Sequence, residues 1–418
     1  MQGPCSDALE QRTGLMNRWM QLFTKYLLLL IGALGIVWGY FLFQECPLRV
    51  DEGIHYQQIT RFVNGDWTLE PKLTTIPGFH LAVGVILHLF GDYSIQAARQ
   101  AQLLMSCILL LCLWRSLPRS LSRDDKQLLF LHIIFCPIVF PFLFLLYTDF
   151  LSLGLVLISL LLFRDGKFVR AGILGGLAIL VRQNNVVWLF YGVCLGGLEN
   201  WKGMAPRRLI WANIPAALGL LGFVVFLVWN GGVALGDRGM HPTGVISVGN
   251  IVFACCLVPA FFPVYFIDAW RRLIISRRLL LIGLIALVLL IFMIPHGLSP
   301  LHPYNVIAPE IFLRNRLLLF FHENLWTVAL LLIAAVLGSG VFVGSRLQSV
   351  LLYTFYPASV VFWMPNGLIE QRYYLIPFSL FLLFKTRLPY HWEAVQLLLM
   401  FILSLLSVLL MVSGSFFF

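Results

Sequence analysis

Long apolar runs separated by short polar punctuation recur along the chain from Leu22 to the C-terminus. Many approach the roughly 20 residues that a helix needs to cross a bilayer. Spans are predicted at 22–43, 95–114, 127–146, 150–163, 171–181, 185–199, 209–229, 245–268, 279–295, 325–343, 347–363, 373–384 and 394–412. The pattern reads as an all-α, polytopic transmembrane helical bundle of about 11–13 spans. Residues 1–418 are expected to form one integral membrane domain. The run Pro77 to Phe90 is short and opens on Pro77 and Gly78, so it is expected to be re-entrant or interfacial. The runs 150–163, 171–181 and 373–384 are also short for a crossing. They are expected as broken helices beside a cavity, where irregular backbone is tolerated at membrane depth. No internal repeat is visible.

Composition agrees with this pattern. Hydrophobic residues make up 60% of the 418 and charged residues 11%, with mean hydropathy +0.88, far outside the soluble range. A net charge of +10 raises the question of nucleic acid. The basic residues, however, come as short clusters between apolar runs, which encode membrane orientation, so no nucleic-acid partner is expected. If Pro77 to Phe90 does not cross, the clusters Arg115 to Lys126 and Arg164 to Arg170 both fall on the cytoplasmic side, and the later basic loops follow. The opposite side then collects 44–93, 147–149, 182–184, 236–241, 295–324 and 365–372. Every polar constellation of interest lies on that one side, which predicts a single external cavity. The eight cysteines form neither a disulfide framework nor a metal motif, and no Asn-x-Ser/Thr sequon occurs.

Five segments on that side carry candidate chemistry. Asp51 and Glu52 are adjacent carboxylates just beyond a span, suited to deprotonate a hydroxyl while positive charge builds on an anomeric carbon. The alternative is an acidic helix cap. Tyr147-Thr148-Asp149 stands directly before an apolar run and also fits capping chemistry. Arg182-Gln183-Asn184-Asn185 interrupts two short apolar runs, and an arginine there suits phosphate or a snorkelling role. Gly236-Asp237-Arg238-Gly239-Met240-His241 is a turn-rich loop holding an acid, a base and an imidazole. Glu370-Gln371-Arg372-Tyr373 opens a late span. His302-Pro303-Tyr304 and Arg314, Asn315 and Arg316 carry a fainter version of the same signal. Arginines facing the carboxylates are what an anionic leaving phosphate requires.

The runs VDEGIHYQQITRFVNGDW, KLTTIPGFHL, FPFLFLLYTD, ILVRQNNVVWL, NGGVALGDRGMH and IEQRYYLIPF stand in order from about residue 49 to 380. In order and spacing they resemble the dolichyl-phosphate-glucose-dependent alpha-1,2-glucosyltransferases of the GT-C superfamily, which add the terminal glucose to the lipid-linked precursor of N-glycosylation. The resemblance implies a GT-C-like fold, a polyprenyl-phosphate-glucose donor, a lipid-linked oligosaccharide acceptor and a site on the lumenal face of the endoplasmic reticulum in a eukaryote, or on the periplasmic or external face of the cytoplasmic membrane in a prokaryote. It implies catalytic roles for Asp51 and Glu52. It implies donor or acceptor binding by Tyr147, Asp149, Arg182, Gln183, Asn184, Asp237, Arg238, His241, Glu370, Arg372 and Tyr373. The chain departs from the family at Asn184, at Gln371 and in the late loop HPYNVIAPEIFLRNR, which bears on the acceptor more than on the donor.

No cofactor is expected, since GT-C enzymes generally use no nucleotide sugar and many use no metal. Asp51, Glu52 and Asp149 remain candidate ligands for a divalent cation. Two rival readings are a GT-C transferase of another sugar or acceptor and a flippase of lipid-linked sugar. The missing repeat counts against the second.

Overall fold

The computed structural model describes residues 26, 27, 29–242, 244–275, 283 and 302–417. The expected span 279–295 lies outside the described residues, apart from residue 283. The chain falls into two compact units, Met1–Glu45 and Cys46–Phe418. The described part of the first contains the apolar helix α1, Leu29–Gln44. Pro47 follows it closely and cannot donate to a continuing helix.

The second unit is helical throughout its described length, with isolated bridges as the only β pairing among those residues. Its helices are α2 (Glu52–Val63), α3 (Gly78–Phe90), α4 (Ile95–Ser116), α5 (Arg123–Ile134), α6 (Thr148–Arg164), α7 (Phe168–Val181), α8 (Val186–Asn200), α9 (Pro206–Ala212) and α10 (Ile214–Asn230). They continue as α11 (Gly249–Phe261), α12 (Pro263–Ile275), α13 (Leu313–His322), α14 (Leu325–Gly344), α15 (Phe355–Trp363), α16 (Leu375–Phe384) and α17 (Tyr390–Val412). Among the described residues, α4, α14 and α17 are long and apolar enough to cross a membrane. The protein is an integral membrane protein. Helix α3 has 13 residues, about 20 Å of rise at 1.5 Å per residue, too short for the hydrocarbon core.

Several expected spans are broken rather than continuous, and each break has a cause in the sequence. Residues 245–268 form α11 and α12, which meet at 104°. Pro263 supplies no N–H to a helix running through Phe262. Residues 209–229 are bent by 50° between α9 and α10, with Pro215 at the joint. The expected span 127–146 ends as helix at Ile134, and Pro137 and Pro141 then force a 3-10 turn at Phe140–Leu143. That irregular stretch is buried in protein, and its carbonyls are served by side chains. Ser404 Oγ donates to Phe135 O at 2.8 Å and Gln102 Nε2 to Phe142 O at 3.1 Å. Irregular backbone survives at this depth only when so satisfied.

Helix α6 forms the centre of the unit, with 4, 7, 8 and 16 packed around it. All ten residues of α16 are buried. Small residues let helix backbones approach: a Cβ at Gly172 on α7 would lie 2.6 Å from the Ala216 nitrogen on α10. Far from the polar loops in sequence, Glu393 accepts from Lys385 Nζ at 2.7 Å and from Tyr265 Oη at 2.6 Å, tying α17 to α12 and to the end of α16.

Candidate active site

Asp51 occupies the N-cap position of α2, yet its side chain makes no capping hydrogen bond. Its carboxylate is left free for other work. Val50 turns the chain into α2 at φ 46°, a region a β-branched residue seldom adopts, and so strain sits immediately before the acid. The Asp51 N–H donates to Tyr147 Oη at 3.0 Å, and that hydroxyl donates to Arg49 O at 3.1 Å. Tyr147 therefore clamps the backbone behind Asp51 rather than lining the cavity.

The buried irregular stretch before α6 delivers Tyr147, Thr148 and Asp149 to the same place. Asp149 Oδ1 pairs with Arg182, which follows α7, and Asp149 Oδ2 lies 3.9 Å from Arg372. Arg372 Nη2 lies 2.8 Å from Asp51 Oδ2 and 2.7 Å from Glu370 Oε1, and Glu370 also pairs with Arg314 at the start of α13. The result is one chain of alternating charge drawn from five distant segments. Arg372 stands over the Tyr147 ring at 5.1 Å and Arg182 over the Tyr373 ring at 6.0 Å. Burial pushes the Glu370 carboxyl up, but Arg372 and then Arg314 overcome it and hold it at about 2.

These groups line a cavity of about 270 Å³, close to the roughly 300 Å³ lower end of small-ligand clefts. Asp51, His55, Arg182, Asp237, His241, Tyr304, Arg314, Glu370, Arg372 and Tyr373 all face it. Asn184 and Asp149 line a small recess beside it with Arg182 and Arg372. The predicted convergence of the polar segments on one cavity is therefore what the fold builds.

The loop after α10 reaches the cavity by pairing with residues 71–74. Leu235 N donates to Thr74 O at 3.1 Å, Gly236 N to Leu73 O at 2.8 Å and Asp237 N to Pro71 O at 3.0 Å. Only glycine fits at 236, where a Cβ would collide with the Pro71 carbonyl. Tyr304 Oη donates to Asp237 Oδ2 at 2.8 Å, and His302 Nε2 donates to Met240 O at 2.6 Å, so the late loop closes over this turn. Burial, then the neighbouring His302, pushes His241 below its usual range, leaving it neutral.

Besides Tyr147, three sequence-predicted residues take other positions. Glu52 is fully buried and saturated: it accepts from Arg99 Nη2 at 2.7 Å, Arg99 Nε at 3.1 Å, Arg49 N at 2.8 Å and Leu146 N at 2.9 Å. Being on the next residue of a helix, it points away from Asp51 and laces three segments together instead of facing substrate. Gln183 bridges Thr74 O, Val233 O and the Ile76 N–H, holding the cavity wall from behind. Arg238 is exposed and donates to Asn230 Oδ1, just after Asp237 at φ 47°. Among the described residues no group of three His, Cys, Asp or Glu side chains could hold a metal, so Asp51, Glu52 and Asp149 do not converge as ligands.

Glu52→Gln tests the reassignment. It breaks the buried ion pair between Glu52 and Arg99, at a cost of about 3–5 kcal/mol. The expected result is a lower melting temperature and yield, with near-normal transfer by the fraction that folds. A stable but inactive Glu52→Gln would return Glu52 to the catalytic machinery.

Sequence reasoning passed over several parts of the site. Arg314 had only a faint signal, His55 was one residue in a quoted run, and Arg99 was not singled out. The tail after α17 had no signal at all. Phe417 pairs through its backbone with Ile311 and Leu313, and its ring stacks on Tyr147 at 6.1 Å.

The sequence profile described as the DIE2/ALG10 family matches residues 47–208 and 198–383, which takes in every segment that lines the cavity. The chain belongs to the DIE2/ALG10 family. Among the relatives of this family member is a Drosophila melanogaster protein, 25% identical over 378 residues, covering 79% of this chain and 82% of the relative. An Arabidopsis thaliana relative is 25% identical, covering 80% and 85%. A Homo sapiens relative is 24% identical, covering 79% and 82%. All three are named Dol-P-Glc:Glc(2)Man(9)GlcNAc(2)-PP-Dol alpha-1,2-glucosyltransferase. A solved structure, ArnT from Cupriavidus metallidurans in the apo state, aligns with 92% of this DIE2/ALG10 family member and 77% of itself at 16% identity and TM-score 0.45.

Proposed function

We propose that this protein is an inverting glucosyltransferase. It moves glucose from a β-linked polyprenyl phosphate to a hydroxyl of a lipid-linked oligosaccharide and forms an alpha-1,2 bond in the N-glycan precursor pathway. The observation that carries the reading is the placement of Asp51 at the cavity, free of any capping role, beside arginines that can bind a leaving phosphate. The family and the names of its members supply the sugar and the linkage.

In this mechanism Asp51 takes the proton of the acceptor hydroxyl as its oxygen attacks the anomeric carbon. The bond from that carbon to the phosphate oxygen breaks with its electron pair, and polyprenyl phosphate departs. Arg372 and Arg182 exchange part of their pairing with Asp51 and Asp149 for the phosphate, whose charge they hold in the transition state. Glu370 and Arg314 keep Arg372 in place. The site faces the lumen of the endoplasmic reticulum, and the donor's lipid chain lies among the helices.

No cofactor takes part. The carboxylates nearest the reacting atoms are already matched by guanidinium groups, which perform the charge neutralisation a cation would supply. Purified protein in EDTA is expected to convert a polyprenyl-phosphate-glucose donor and a lipid-linked acceptor to a product one hexose heavier by mass spectrometry, with the new linkage read by methylation analysis. Movement of lipid-linked sugar across vesicles without a new bond would overturn the reading. Activity lost in EDTA and restored by a divalent cation would overturn the cofactor-free mechanism alone.

A further inference from the structure

One residue at the cavity has a second buried histidine behind it. His55 lies one turn along α2 from Asp51, its N–H bonded to Asp51 O at 3.0 Å. Its Nδ1 is 2.8 Å from Nε2 of His80 on α3. The ring is wedged edge-on between Tyr147 at 5.4 Å and Phe79 at 6.1 Å, so its orientation is fixed. Its other nitrogen, Nε2, has no hydrogen-bond partner among the described residues and is open to the cavity that His55 lines.

The state of that free nitrogen follows from the pair. Burial, then Arg372 and Arg182, push His55 down to about 3, so it is neutral at any working pH. His80 is fully buried and ion-paired to no carboxylate among the described residues, so it too is neutral. Two neutral imidazoles share one proton across the 2.8 Å contact. His80 Nδ1 makes no hydrogen bond of good geometry, and the Pro77 carbonyl at the start of the same helix favours a proton on the His80 ring at the nitrogen turned away from His55, which is Nδ1. His80 Nε2 then accepts, His55 Nδ1 donates, and His55 Nε2 is left with a lone pair directed at the cavity.

We infer that His55 Nε2 accepts a hydrogen bond from a second hydroxyl of the acceptor's terminal sugar, next to the one Asp51 deprotonates, and that His80 is the positioning residue that sets this tautomer. The inference rests on the glucosyl-transfer reading and adds a specificity-determining residue to it. The acceptor is the partner because His55 and Asp51 share one rigid helix, so both address the same sugar. A fixed acceptor nitrogen rejects a sugar lacking that hydroxyl, since both the nitrogen and its surroundings would then stay unsatisfied.

The test uses acceptors in which each non-reacting hydroxyl of the terminal sugar is replaced in turn by hydrogen or by fluorine. Fluorine cannot donate, so a hydroxyl that donates to His55 is missed equally in both analogues. For the wild type, one position is expected at which both analogues lower kcat/KM by roughly tenfold or more. In His55→Phe that discrimination disappears. In His80→Phe the His55 proton moves to Nε2, so the fluoro analogue regains activity relative to the deoxy one. The inference is overturned if the wild type tolerates every analogue, if only donor-sugar hydroxyls matter, or if His55→Phe discriminates as the wild type does. Should His55→Phe not fold, the wild-type and His80→Phe comparisons decide. No transfer to the unmodified acceptor would overturn the function itself, whereas transfer without discrimination overturns only this inference.

Discussion

Asp51→Asn lowers the single-turnover rate of glucosyl transfer by roughly 100-fold or more, the usual scale for a lost general base, while the protein still folds and binds donor. The reason is geometric. Asparagine keeps the shape of the side chain and can still accept from Arg372, which lies 2.8 Å from Asp51 Oδ2. What it loses is the ability to take a proton. Because Asp51 makes no side-chain cap, the substitution does not unsettle α2 through its terminus. Asp149→Asn is the informative control, since Asp149 is nearly enclosed and already committed to Arg182. A near wild-type rate in Asp51→Asn, with a collapse in Asp149→Asn, would move the base to Asp149.

Arg372→Ala lowers kcat/KM for the polyprenyl-phosphate donor by roughly 100-fold, and Arg372→Lys recovers only part of it. Arg372 touches Asp51, Glu370 and Asp149 from one planar group, a set of contacts that a lysine ammonium cannot reproduce. The same change has a pH signature. Glu370 sits at about 2 against its ordinary 4.5, so its ion pairs stabilise the fold fully above pH 4.5 and that contribution is lost as pH falls through about 2. Without Arg372, burial is opposed chiefly by Arg314, and the acid limb of a stability profile moves to higher pH. Donor kinetics and thermal melts between pH 3 and 7 measure both effects. Unchanged donor use in Arg372→Ala would remove it from the phosphate site.

How far the sequence carried depended on whether a property is local. The all-helical membrane fold was legible because the need to satisfy backbone groups in hydrocarbon leaves little choice for long apolar runs. That the run at 77–90 forms only a short helix, Gly78–Phe90, was likewise legible from its length and its opening Pro77-Gly78. Breaks inside predicted spans were less so. Pro141 and Pro263 were visible, but whether a proline kinks, ends or reverses a helix depends on which side chains are present to satisfy the freed carbonyls, as Gln102 and Ser404 do around residues 135–142.

The sequence by itself grouped the acids and arginines of 51, 149, 182, 237, 370 and 372, because charge placement relative to apolar runs is a one-dimensional property, and the fold brings them to one cavity and the recess beside it. Which of two adjacent carboxylates faces substrate is not such a property. Asp51 and Glu52 are adjacent in the chain, and only the tertiary structure pairs one with Arg372 at the cavity and the other with the buried Arg99. The positions of Arg314, His55 and Phe417 were decided in the same way. Each depends on a partner from a separate segment: Glu370, His80 and Tyr147. Side-chain function at a buried site is set by what packs against it, and that information exists only once distant segments have been brought together.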